Sequence, residues 1–146
     1  GPNRAIRNIQ EAIDRAAAGD TILVDPGNYR GQLDIQKDLV VRGAGVGSTR
    51  LWNDGNGTLV SADQVELVFE GFTLDDAEAN GARGGAIFAE NADLSATDLE
   101  IVQGDAREGG GLYVTGSTTV VLTDATVTDS QADRNGAAIY LGVGVD

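Results

Sequence analysis

The chain lacks cysteine, histidine and methionine, and its 146 residues include one lysine and only seven aromatic side chains. These absences exclude Cys/His zinc sites, thiol nucleophiles and every catalytic triad that uses an imidazole base. No apolar run is long enough to cross a bilayer, and the N-terminus carries no signal-peptide pattern. We therefore expect no membrane insertion and none of the commonest enzyme chemistries.

Charge of one sign dominates, with 23 acidic residues against 10 basic ones and a net charge of −13. Residues 1–50 hold seven basic and six acidic side chains, whereas residues 51–146 hold three basic and 17 acidic ones. A strongly negative surface repels phosphate backbones and anionic lipids. We expect no nucleic-acid partner.

One amphipathic helix is predicted at the start of the chain. Ile6, Ile9 and Ile13 recur at helical spacing, Asn3 is a candidate N-cap, and Gly19 follows the alanine run as a helix terminator. Residues 3–19 are interpreted as an N-terminal capping helix. Gly1-Pro2 resembles the remnant of a tag-cleaving protease site.

An internal repeat occupies the rest of the chain, where short apolar strands alternate with Gly, Asn and Asp. Two blocks recur in step: "ARGGAIFAE" (82–90), "REGGGLYVT" (107–115) and "RNGAAIYLG" (134–142), and also "FEGFTL" (69–74), "ATDLEI" (96–101) and "LTDATV" (122–127). A period near 26 with about three short strands predicts an all-β parallel β-solenoid, also called a parallel β-helix, over residues 20–146.

Strand alternation predicts which repeat residues form the core. The predicted inward positions are Leu67, Phe69, Ile87, Ala89, Leu94, Ala96, Leu112, Val114, Val120, Leu122, Ile139 and Leu141. The helix would cover one end of this core. We expect no cap after the last coil, which favours coils that continue past residue 146, or end-to-end or edge self-association there.

Two segments resemble a known family. The opening "IQEAIDRAAAGDTILVDPGNYRGQLDIQKDLVVRGAG" is similar to the N-terminal cap and first coil of right-handed parallel β-helix proteins of the pectate-lyase-like superfamily. The "GGAIF", "GGGLY" and "GAAIY" coils resemble the polymorphic outer-membrane-protein and autotransporter-passenger branch. The resemblance implies a right-handed β-helix and an extracellular or cell-surface location, but this fold hosts enzymes, adhesins and inert stalks.

Three functions remain open at this point. The first is a non-catalytic module of a surface or secreted protein that presents an extended face to a glycan or another protein. The second is the N-terminal part of a polysaccharide lyase or, less favoured, a glycoside hydrolase, and the third is a structural stalk. Asp75-Asp76 resembles the paired acids of glycoside hydrolases of this fold, but the accompanying histidine is absent. A lyase base could be Lys37 or Arg83; no catalytic residue is assigned.

Acidic turns are the candidate metal site. Asp76, Asp105, Asp129 and Asp133 follow strands of successive coils, and oxygen ligands of this kind suit calcium. Unequal turn lengths argue against a regular ladder of sites. Solvated acids that repel one another are the alternative, and no cofactor other than calcium is expected.

Three aromatic residues, Phe88, Tyr113 and Tyr140, each follow an inward residue by one position. Alternation turns all three outward in one column with a spacing of about 4.8 Å. They are the predicted ligand-binding residues, either as a stabilising ladder or as a platform for sugar rings or a partner chain. Small outward neighbours on one side, Ala86, Gly111 and Ala138, favour an open surface.

Overall fold

A computed structural model describes most of the chain. The described residues are 8–53, 57–75, 78–83, 85–102, 105–108, 110–135 and 138–142, with backbone only for 78–83, 105–108 and 131–135.

The helix, α1, spans Ile9–Arg15 and is shorter than predicted. Its N-cap is Asn8, whose side chain accepts a hydrogen bond from the Gln10 N–H at 2.8 Å. Asn8 is extended, so the described helix begins after it; the expected cap, Asn3, lies outside the described residues. At the other end Ala16 is already extended (φ −70°, ψ 150°). The following alanines leave the helix because the Asp20 carboxylate binds the Ala17 N–H at 2.8 Å.

Lys37 fixes the C-terminal end of α1. Its ammonium group donates to the carbonyl oxygens of Ile13, Asp14 and Ala16 at 2.9, 3.2 and 2.8 Å. The last carbonyls of a helix lack i+4 N–H partners within it; besides the ammonium group, Ile13 O accepts the Ala16 N–H, at 3.3 Å. A cation at this end also compensates the helix dipole. The lysine considered as a lyase base therefore holds the capping helix on the solenoid.

The described strands wind in five layers. The first layer has β1 (Thr21–Leu23), β2 (Gly27–Arg30) and β3 (Leu33–Ile35), and the second has β4 (Leu39–Arg42), β5 (Thr49–Trp52) and β6 (Val60–Asp63). The third has β7 (Glu66–Asp75), β8 (Glu78–Arg83) and β9 (Ile87–Glu90). The fourth has β10 (Asp93–Val102), β11 (Asp105–Glu108) and β12 (Leu112–Thr115). The fifth has β13 (Thr119–Thr128), β14 (Gln131–Asn135) and β15 (Ile139–Leu141).

Parallel pairing between layers builds three sheets and confirms the predicted β-solenoid. The sheet orders are β1-β4-β7-β10-β13, with β2-β5 also joining at β7, then β3-β6-β9-β12-β15 and β8-β11-β14. Leu112 pairs with Ile87 on one side and with Ile139 on the other, as the repeat predicts. The period of about 26 residues is therefore the distance along the chain between stacked strands.

Three strands are longer than predicted because a single residue turns the chain without ending the strand. β4 and β5 are separate and both pair with β7, which runs continuously through Gly71 at φ +76°. Asp98 and Asp124 take the same left-handed conformation in β10 and β13, both at φ 51°. In the third to fifth layers a one-residue kink stands where a loop separates β4 from β5 in the second layer. β7, β10 and β13 therefore each reach ten residues.

The core lies between the sheets and follows the predicted alternation. Phe69, Ala96 and Ile87 are 0%, 0% and 1% exposed. The last layer differs, because Leu122 and Leu141 point inward by register but are 37% and 60% exposed. No described strand lies beyond them. The predicted self-association at this end stays a prediction.

Candidate functional site

Phe88, Tyr113 and Tyr140 form a stacked column on one sheet. They are register partners on β9, β12 and β15. The ring centroids of Phe88 and Tyr113 lie 5.3 Å apart and those of Tyr113 and Tyr140 4.8 Å apart, with interplanar angles of 3° and 6°. The predicted column is confirmed, and we call it the aromatic column.

Strand alternation places the column outside the core. On β12, Leu112 and Val114 on either side of Tyr113 are 1% and 0% exposed and belong to the core cluster, whereas Tyr113 does not. The rings stack because parallel in-register strands repeat the same outward position at each layer. Their stabilisation comes from ring contact across layers.

The expectation of an open surface is wrong for the middle of the column. Tyr113 is only 4% exposed, while Phe88 and Tyr140 are half-buried. On the flank, Ala86 is fully buried and Gly111 is also buried. A Cβ at Gly111 would lie 2.5 Å from the Ala138 carbonyl oxygen and 2.7 Å from Val127 Cγ1. These small residues therefore serve close packing at the strand starts.

Stacking also decides which ring surfaces a ligand can reach. Each face of the Tyr113 ring is covered by a neighbouring ring, so the column offers ring edges along its length. Only its two end rings have a face without a ring partner among the described residues. The outer face of Phe88 is directed toward Ser61, its register partner on β6.

Carboxylates border the Phe88 end of the column. Asp63 and Glu90, register partners on β6 and β9, lie two positions along from Ser61 and Phe88 on the same outward face. Asp34 is the partner of Ser61 in the first layer. Its carboxylate accepts a hydrogen bond from Gln36 Nε2 at 3.1 Å. This end combines an aromatic face with hydrogen-bond acceptors.

A second aromatic position was missed by the sequence analysis. Trp52 is half-buried on β5, and the guanidinium carbons of Arg30 and Arg50 lie 5.6 and 5.4 Å from a Trp52 ring centroid. Arg50 Nη2 also lies 2.8 Å from Asp75 Oδ2. The pairing of "GNYR" with "TRLW" was the available signal, but these early copies of the repeat are too divergent to align by sequence.

The structure describes only some of the candidate acidic side chains. Asp75, one of the two adjacent acids, is held by Arg50, and Asp76 lies outside the described residues. The side chains of Asp105 and Asp133 also lie outside them. Asp129 is exposed at φ +52°. No group of three or more metal-binding side chains occurs among the described residues, and the calcium site stays a prediction.

Among the described residues, no helix has the length and apolar character needed to cross a bilayer. A comparison with protein-family models, curated proteins and solved structures finds no match for this chain.

Proposed function

We propose that this chain is a non-catalytic β-solenoid module of a surface or secreted protein, whose outer face serves adhesion by binding a glycan. The observation that carries this proposal is the aromatic column on an outward sheet face, whose two end rings each have one face without a ring partner among the described residues. Aromatic rings with a few polar groups beside them are typical of ligand sites. The apolar C–H face of a pyranose packs on such a ring while its hydroxyls reach the polar groups.

Charge supports a glycan without acidic groups. Asp63 and Glu90 flank the Phe88 end, and the chain as a whole carries −13. Bringing a carboxylate or sulfate against these acids costs electrostatic free energy. Neutral or amine-bearing sugars avoid this repulsion, and their hydroxyl or ammonium groups donate to the carboxylates.

The structural partners of Lys37 and Asp75 also favour a binding module over an enzyme; the side chains of the other candidates, Asp76 and Arg83, lie outside the described residues. Lys37 donates to three helix carbonyls and Asp75 is paired with Arg50. A general base needs a free lone pair near the substrate proton. Lys37 instead donates to the helix carbonyls, and Asp75 is already engaged by Arg50.

A structural stalk is the second candidate, and the burial of Tyr113 favours it. At 4% exposure this ring contributes to stability whether or not a ligand binds. A stalk needs the ring contacts alone, whereas a binding module also needs the end faces.

Calorimetric titration with neutral, amine-bearing and uronate tetrasaccharides tests the proposal. We expect the neutral or amine-bearing ones to bind and Phe88→Ala together with Tyr140→Ala to abolish binding. Val121→Ala is the matched control, since Val121 is 52% exposed on a different sheet. Failure of all three sugars would leave the stalk, and a rise in unsaturated-product absorbance with uronate would instead show a lyase.

A further inference from the structure

The column of outward residues that contains the three rings has two more members. In register order it runs from Asp34 through Ser61 to Phe88 and then to the two tyrosines. The side chain therefore changes from a ring to a hydroxymethyl group between the third layer and the second. Ser61 and Phe88 are both half-buried, and so both reach the surface.

This change in size leaves a step on the sheet face. Neighbouring strands lie about 4.8 Å apart, which is also a stacking distance for two rings. On its other face Phe88 already stacks on Tyr113 at 5.3 Å. A sugar ring lying over Ser61 would set its C–H face against the outer face of Phe88 at a similar distance. At the position that an aromatic side chain occupies in the later layers, the second layer has only the small side chain of Ser61.

The polar groups around the step are acceptors. Asp34 lies one layer beyond Ser61, and Asp63 and Glu90 lie beside it on the same face. The Asp34 carboxylate is oriented by Gln36, which donates to Oδ2 at 3.1 Å. The Ser61 hydroxyl can donate or accept. A ligand here has to bring donors of its own and carry no negative charge.

We propose that Ser61 and Phe88 form a subsite for one pyranose ring that is uncharged or bears an amine, stacked on the open face of Phe88 and hydrogen-bonded to Asp34, Asp63 or Glu90. This inference rests on the proposed glycan-binding function and locates it at one step of the column. The chemistry of the occupant follows from the aromatic face on one side and from the three nearby carboxylates.

The decisive variant is Ser61→Tyr, which fills the step with a fourth ring. We expect it to raise the melting temperature, since the new ring stacks on Phe88, and to weaken binding of cellotetraose or a glucosamine tetramer at least tenfold. Ser95→Tyr is the matched control, because Ser95 is also a half-buried outward serine, on β10 in another sheet. It should bind the sugars as the unmodified chain does.

A second measurement keeps the site testable if Ser61→Tyr folds poorly. In the unmodified chain, sugar ring protons should shift upfield in NMR spectra on binding, and Phe88→Leu should remove that shift while the protein still melts cooperatively. Binding that survives both variants would overturn the subsite and leave glycan binding intact. Binding of uronates alone, or of no sugar, would overturn the subsite and the proposed function together.

Discussion

The two tyrosines of the aromatic column occupy equivalent repeat positions but should contribute differently to stability. Tyr113 is 4% exposed with a ring on each face, whereas Tyr140 is half-buried with one ring contact. We expect Tyr113→Ala to lower the free energy of unfolding by about 3 kcal/mol and Tyr140→Ala by about 1 kcal/mol. Urea denaturation measures both values. Equal losses would show that the number of ring contacts does not determine how much each tyrosine contributes to stability.

Lys37 should matter through the helix it holds. We expect Lys37→Met to lower the free energy of unfolding by about 1 to 2 kcal/mol, because three helix carbonyls lose a charged donor. Arg42→Met is the control with the same change in charge, since it removes the exposed Arg42–Glu70 pair (3.0 Å), and should cost at most about 1 kcal/mol. Thermal melts followed by circular dichroism compare the two variants, and a larger loss for Arg42→Met would contradict this role.

At the level of single residues, the sequence predicts what repeats and misses what occurs once. Phe88, Tyr113 and Tyr140 share one motif position, so one alternation argument placed all three. The contact between Lys37 and the helix end involves a helix that has no repeat partner. The position of Arg30 and Arg50 over Trp52 lies in early copies of the repeat that are too divergent to align by sequence. The low exposure of Tyr113 was not predicted, because alternation gives the direction of a side chain but not how far its neighbours cover it.

Among the secondary-structure elements, the kinked strands depend on a backbone conformation that few residues adopt. Gly71 has φ +76°, and an added Cβ would lie 2.7 Å from the Gly43 carbonyl oxygen. We expect Gly71→Ala to destabilise the chain by at least about 2 kcal/mol through both strain and collision.

Gly19→Ala separates the two contributions, since Gly19 has φ +89° but nothing within 4 Å of an added Cβ. It should cost about 1 kcal/mol from strain alone. The comparison uses equilibrium unfolding in urea. A Gly71→Ala loss no larger than that of Gly19→Ala would mean that the backbones of the second and third layers can separate at little cost.

The type and order of the elements were predictable, whereas their ends were not. The repeat fixed strand pairing, because inward and outward residues must superpose from layer to layer. The bounds of α1 depend on Asp20 and Lys37, which lie outside the helical pattern. The sequence pattern suggests that the strands end at Asp98 and Asp124. The reason is that a left-handed residue within a strand shifts the alternation of inward and outward residues by one position.

For the whole molecule, stacking places like charges opposite one another. Glu66 pairs with Asp93, and Asp63 pairs with Glu90, in adjacent strands. Like charges directly opposite are destabilising. We expect Glu90→Gln to raise the free energy of unfolding by about 0.3 kcal/mol at low salt, and the gain to shrink as salt screens the repulsion.

Glu70→Gln is the control for this substitution. Glu70 faces Arg42, with which it forms a 3.0 Å ion pair, so its neutralisation should lower stability by about 0.5 kcal/mol. Thermal melts at low and high sodium chloride would give the two signs directly. The same sign for both variants would rule out the facing acids as the source of the effect.

Because the last three layers are equivalent, the solenoid can gain or lose a coil without changes to the residues of the neighbouring coils. β7, β10 and β13 superpose through the same kink, and each described strand pairs only with strands of the layers beside it. A second copy of residues 93–118 inserted after residue 118 would meet the same partners on both sides. Each such duplication would lengthen the axis by about 4.8 Å. We therefore expect this architecture to tolerate duplication or deletion of whole coils among the last three layers. The first two layers differ, because β4 and β5 are separate strands there, and a coil copied into them would not meet equivalent partners.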